Sequence, residues 1–197
     1  MGRVHASTIV QDEGSQLVAV ADSVDENAKN LAKLYKVNPR SVDAIFEDNS
    51  IEAILIASST DTHSDFIEKA SKAGKAILCE KPVDLSLARA KRCLENTKSN
   101  EHSIMMGFNR RFDPNFVALK KALDGGEIGT AELLSITSFD PAPPPIDYVK
   151  VSGGIFKDMM IHDFDMANFL YGDLPKSVFV SASAIIDKKI GSIVLIS

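Results

Sequence analysis

Basic runs, paired cysteines and long apolar stretches are all missing from this chain of 197 residues. With 22 Lys and Arg against 27 Asp and Glu the formal charge is −5, and no stripe of cations forms. That balance argues against nucleic acid or an anionic membrane surface as a partner. The 2 cysteines, Cys79 and Cys93, lie in apolar or helical contexts without a C-x-x-C spacing. No disulfide is therefore expected, and a reducing compartment suits the chain. No apolar run is long enough to span a bilayer, and the first residues lack the h-region of a secretory leader. A cytoplasmic protein is expected. What is present is ordinary globular composition, 45% hydrophobic and 25% charged, enough to bury a core in one large or two small domains.

The apolar residues come in short runs. Residues 16–21 read Q-L-V-A-V-A and end at Asp22, the pattern of a strand buried on both faces. Helical periodicity follows over residues 25–36, through Ala28, Leu31, Ala32 and Tyr35. A second buried strand, 51–57, gives way to the polar turn Ser58-Ser59-Thr60-Asp61, where Thr60 or Asp61 caps a helix running to about residue 73. A third strand, 75–79, leads into Glu80-Lys81-Pro82, and a helix over 85–97 and a strand over 103–108 complete the series. Alternating β and α elements with apolar strands predict a Rossmann-like α/β fold, a parallel sheet flanked by helices. Ligands of such sheets bind outside the carboxyl ends of the strands, where Asp22, Ser58 to Thr60 and Glu80 to Pro82 all fall.

After Phe108 the pattern changes to α+β. A helix over 114–123 ends at Gly125-Gly126, and residues 132–138 alternate like a strand of an antiparallel sheet. The loop D-P-A-P-P-P-I-D-Y, 140–148, is predicted to be irregular because its prolines remove backbone donors. A helix spanning 158–162 and a strand over 177–186 follow. The expected division is an α/β domain with a parallel sheet, 1–112, and the start of an α+β domain, 113–197.

Three places carry the chemistry. In G-G-I-F-K-D-M-M-I-H-D-F-D, residues 153–165, a single helix would put Asp158, His162 and Asp165 on one face. A carboxylate one turn from an imidazole can hold one ring nitrogen and leave the other as a general base. The same three residues could ligate a divalent ion, but no second cluster supplies a fourth ligand, so no metal is expected. Lys81 stands at a strand terminus, where an ammonium can stabilise an alkoxide, and the Lys81-Pro82 bond is a candidate for the cis form. Finally, the opening M-G-R-V-H-A resembles the tail of a G-x-G-x-x-G turn. The interval from Gly2 to Asp22 suits a glycine turn followed by a ribose-binding acid. An acid there favours NAD and repels the 2′-phosphate of NADP.

Together these stretches resemble the Gfo/Idh/MocA oxidoreductases, and within them the inositol 2-dehydrogenases. The matching segments are M-G-R-V-H-A, V-A-V-A-D, S-S-T-D-T-H, C-E-K-P, G-F-N-R-R-F-D, the Pro-rich loop and S-G-G-I-F-K-D-M-M-I-H-D-F-D-M-A. The resemblance implies a catalytic group of Lys81, Asp158 and His162. It places Gly2, Arg3, Val4, Asp22, Ser58, Ser59, Thr60, His63, Glu80 and Lys81 at an NAD site. Arg110, Arg111 and Tyr148, with Asp158 and His162, fall on the side of a small polyol or sugar. It further implies that a strand and a full glycine turn precede Met1, that more antiparallel strands follow Ser197, and that full-length relatives are homo-oligomers. The competing expectation is a dinucleotide-sensing regulator of the same fold, without catalysis. Retention of Lys81, Asp158 and His162 favours the enzyme.

Overall fold

A computed structural model describes residues 1–98 and 104–181. The chain divides into two compact units, Met1–Gly107 and Phe108–Ser197.

The first unit runs α1 (Gly2–Gln11), β1 (Ala19–Val20), α2 (Asp25–Tyr35), β2 (Asn38–Pro39), α3 (Val42–Glu47), β3 (Ala53–Ile56), α4 (Thr60–Lys72), β4 (Ala76–Cys79), α5 (Leu87–Thr97) and β5 (Ile104–Met106). All pairings among the described residues are parallel. β3, β4 and β5 pair in that order, with Ile54 opposite Ile77 and Ile77 opposite Ile104. β1 pairs with β2 in a separate ladder, Ala19 opposite Asn38. The expected apolar strands are thus present, each shorter than its apolar run. The pair β2 and α3 was not foreseen, because an Asn-Pro dipeptide carries no strand signal. Proline is tolerated there because β2 lies at the edge of its ladder. α3 is six residues long and is started by Ser41, whose Oγ accepts from the Ala44 N–H at 3.2 Å.

α4 shows why these elements pack. His63, Ser64, Ile67, Ala70 and Ser71 are buried at helical spacing, while its other face carries charge. Ile67 and Ala70 meet Ile56, Ile77, Cys79 and Cys93 in one cluster, with Phe46, Phe66 and Ile104 packed around it. Its N-cap is Ser59, one residue before the expected Thr60 or Asp61. Lys75 is also buried, and its ammonium donates to the Asp48 and Ile51 carbonyls at 2.6 and 2.8 Å. It thereby ties the turn after α4 to the approach to β3.

Both thiols are fully buried in this core. Burial first, and the neighbouring Glu80 charge second, push Cys79 up to about 12. Burial also raises Cys93, with Glu68 adding to it. A thiol raised in the folded state keeps its stabilising effect below the ordinary thiol range of about 8.5 and loses it as pH climbs from there. The urea midpoint is therefore expected to hold steady to mildly alkaline pH and to fall above it. Iodoacetamide should label neither cysteine of the folded chain at neutral pH, and early labelling of Cys79 would contradict its burial.

The second unit holds a 3-10 turn (Asn109–Phe112), α6 (Pro114–Asp124), α7 (Ile146–Ser152), α8 (Gly154–Asp158) and α9 (Met160–Tyr171). α6 begins as sequence signals require, with Asp113 accepting from the Asn115 N–H at 2.8 Å and Pro114 in the first turn. Three expectations are corrected here. The Pro-rich loop stops at Pro145, which caps α7, so Tyr148 is helical rather than in a loop. The single helix across 153–165 is broken at Met159, with Asp158 ending α8 and His162 in the first turn of α9. Residues 132–138 join no ladder with any described residue, and Leu133 is 89% exposed. Residues 177–181 are likewise irregular, and the rest of the strand expected over 177–186 lies outside the described residues. Among the described residues no helix is long and apolar enough to cross a membrane.

Candidate active site

In the first unit, each candidate follows the carboxyl end of a parallel strand or opens a helix. α1 starts at Gly2 without a side-chain cap, and Arg3 and Val4 are exposed on its first turn. A helix N-terminus of this kind presents backbone N–H groups and the positive end of its dipole to an anion. Asp22 follows β1. Its Oδ1 accepts from the Val24 N–H at 2.8 Å and from Asn27 Nδ2 at 3.5 Å, which fixes the turn leading into α2. Asp22 also borders a pocket of about 450 Å³, together with Lys29, Arg40 and Ser41. That volume suits a small ligand or one end of a larger one.

Ser58, Ser59 and Thr60 form the turn from β3 into α4. Ser58 Oγ and Thr62 Oγ1 lie 2.6 Å apart, and Thr62 Oγ1 donates to the Ser59 carbonyl at 2.7 Å. His63 differs from its expected role. It is 2% exposed, and its two ring nitrogens face the carbonyls of Pro82 at 2.8 Å and Ser58 at 3.2 Å. The shorter contact assigns the proton to Nδ1. With both nitrogens turned to backbone, His63 offers none to a cofactor. It joins the turn after β3 to the Lys81-Pro82 segment after β4, whose peptide bond is cis. His63→Leu strands the Pro82 carbonyl and is expected to cost about 2 kcal/mol in urea unfolding, with weaker NAD binding by calorimetry. Unchanged stability would contradict the staple.

Glu80 is likewise turned inward. Its Oε1 meets His5 Nε2 at 2.5 Å, the side chains being 13% and 23% exposed. Gly107 backs it closely, since a Cβ there would sit 3.0 Å from Glu80 Oε2. Glu80 therefore links the first turns of α1 to the end of β4, beside half-buried Lys81. The sequence pattern singles out neither His5 nor Arg40. His5 stands one turn from Gly2, but its partner is 75 positions away and no local spacing marks it.

The second unit holds Asp158 and His162. Tyr148 Oη donates to Asp158 Oδ1 at 2.9 Å. Partial burial, and then this carboxylate, push the Tyr148 phenol up to about 12, so it remains a neutral donor. The His162 ring meets Phe108 edge-on, centroids 6.3 Å apart. Asp165 does not join them. Both its oxygens are taken by Arg111, at 2.8 Å from Nε and 2.6 Å from Nη2, and Asp165 is 8% exposed. Arg111 also lies over the Phe169 ring, 5.4 Å from its centroid. Arg110 donates to Asp163 Oδ1 at 2.5 Å, an oxygen that also accepts from Ser138 Oγ. The arginine pair expected on the substrate side forms ion pairs with α9, Arg111 through two of its nitrogens.

Two family models each match part of the chain. Residues 1–108 match the oxidoreductase family with an NAD-binding Rossmann fold, and residues 116–193 match the GFO/IDH/MocA C-terminal domain. The chain is 50% identical over 191 residues to an inositol 2-dehydrogenase of Rhizobium meliloti, covering 97% of this chain and 58% of the relative. Among solved structures, a myo-inositol dehydrogenase from Corynebacterium glutamicum superposes with a TM-score of 0.88 at 39% identity, covering 96% of this chain and 57% of the other. A scyllo-inositol dehydrogenase from Lactobacillus casei with bound NAD(H) and scyllo-inositol superposes at 0.72 and 29% identity, over 87% and 53%. The chain thus spans under three-fifths of the length of each relative.

Proposed function

The chain belongs to the Gfo/Idh/MocA family of NAD-binding oxidoreductases, and from that premise we propose that it serves NAD-dependent oxidation of a secondary hydroxyl on an inositol-type polyol. The observation that carries the reading is that Asp22, Ser58 to Thr60 and Lys81 each follow the carboxyl end of a parallel strand, with Asp22 bordering a pocket of about 450 Å³. These residues suit NAD. The start of α1, Gly2 to Val4, would face the pyrophosphate, Asp22 the ribose hydroxyls, and Ser58 to Thr60 the continuing chain. When bound, NAD supplies the hydride acceptor.

The protein's own residues handle the proton and the charge. His162 takes the hydroxyl proton as the carbon becomes a carbonyl. Lys81 stabilises negative charge developing on that oxygen. Asp158 accepts from the Tyr148 hydroxyl, and the phenol oxygen and the carboxylate can both accept from neighbouring polyol hydroxyls. A purely regulatory dinucleotide-binding protein has no need of His162 as a proton acceptor. A cytoplasmic setting and homo-oligomeric assembly of the full-length protein belong to the same reading.

Isothermal calorimetry tests the first half. NAD should bind the 197-residue chain, and NADP more weakly because Asp22 repels its 2′-phosphate. Equal affinity for the two would remove Asp22 from the ribose site.

A further inference from the structure

One charge pair in the first unit has no part in the proposed reaction. Arg40 borders the Asp22 pocket, and its Nη1 donates to Asp48 Oδ2 at 2.5 Å. Asp48 is itself held in place. Its Oδ1 accepts from the Ser50 N–H at 2.8 Å and Ser50 Oγ at 2.6 Å, and its carbonyl accepts from buried Lys75. The Ser50 hydroxyl and then Arg40 hold the Asp48 carboxyl far below the usual carboxylate range, so it stays ionised. Five charged groups therefore bear on the pocket. Arg40 and Lys29 oppose Asp22, Asp25 and Asp48, leaving one net negative charge.

We propose that Asp48, acting through Arg40, sets the preference of this pocket for an adenosine ribose without a 2′-phosphate. Asp48 occupies Nη1 and cancels the guanidinium charge, so of the two cations on the pocket, Arg40 and Lys29, the guanidinium is already paired. Asp48 is a positioning residue and touches no ligand. The inference rests on the dinucleotide reading above and deepens it, because it assigns discrimination to a pair as well as to Asp22.

The test is calorimetric and needs no turnover. The 197-residue chain and its variants are titrated with 5′-AMP and with adenosine 2′,5′-bisphosphate, which differ only by the 2′-phosphate. Asp48→Asn should shift the affinity ratio toward the bisphosphate by roughly tenfold, the scale of one charge acting across a solvated pocket. Arg40→Gln, which leaves Asp48 as an unpaired anion, should shift it by a similar factor the other way. The double variant should return near the wild-type ratio. If Asp48→Asn fails to fold through loss of the Ser50 contacts, the Arg40→Gln shift decides alone. Binding of both nucleotides with a ratio that neither variant moves overturns this inference only. Binding of neither by the wild type overturns the dinucleotide reading and the inference with it.

Discussion

His162→Ala is expected to lower kcat/KM for a cyclic polyol by roughly 10²–10⁴-fold, with NAD affinity changed by less than about twofold. The size follows from the role. A secondary alcohol cannot lose hydride at a useful rate while its oxygen keeps the proton, and of the proposed catalytic groups the imidazole is the one suited to accept it at neutral pH. The structure gives His162 a defined setting for that work. It stands in the first turn of α9, one short break after Asp158, with its ring edge-on to Phe108. His162 is not among the groups proposed to face the dinucleotide, so binding should survive its loss. Added imidazole should restore part of the rate in the alanine variant, because a small base can then enter the vacated volume. A fall in NAD affinity as large as the fall in rate would mean that His162 has a structural role instead.

Arg111→Met should destabilise the second unit by about 2 kcal/mol, below the roughly 3–5 kcal/mol of breaking a fully buried ion pair. Asp165 would be left 8% exposed with neither oxygen paired to the guanidinium that now meets both. The Arg111 side chain is 40% exposed, and solvent screening places the effect below that range. The stacking on Phe169 is partly preserved by the methionine chain. Replacing both partners, Arg111→Met with Asp165→Leu, should recover most of the loss, because no uncompensated charge remains. Urea unfolding of the four species measures this directly. A raised KM for polyol in Arg111→Met at full stability would return Arg111 to the substrate side.

These two residues also show what could be read from the residues alone. The parallel sheet was legible because β3 and β4 are continuous apolar runs and α4 has clean helical periodicity between them. Asp22, Ser58 to Thr60 and Lys81 were placed correctly after their strands for the same reason. The break at Met159 was not legible, since neither Gly nor Pro marks it. Arg110 and Arg111 follow β5 in a pattern that serves ligands and ion pairs equally. Their partners on α9 lie 53 and 54 positions away. His63 and Glu80 were located near the cofactor turns, yet which way each side chain faces depends on contacts with Pro82, Ser58 and His5 that no periodicity encodes. The strand expected over 132–138 has the right alternation, but a strand exists only with a partner, and among the described residues it has none.

The central claim is that this chain joins an NAD site to a proton acceptor at His162. NADH fluorescence on mixing the 197-residue chain with NAD and myo-inositol, beside His162→Ala, tests it most directly. The account predicts NADH accumulation with the wild type and almost none with the variant. NAD binding without NADH formation from myo- or scyllo-inositol, or equal rates in the two proteins, would contradict it.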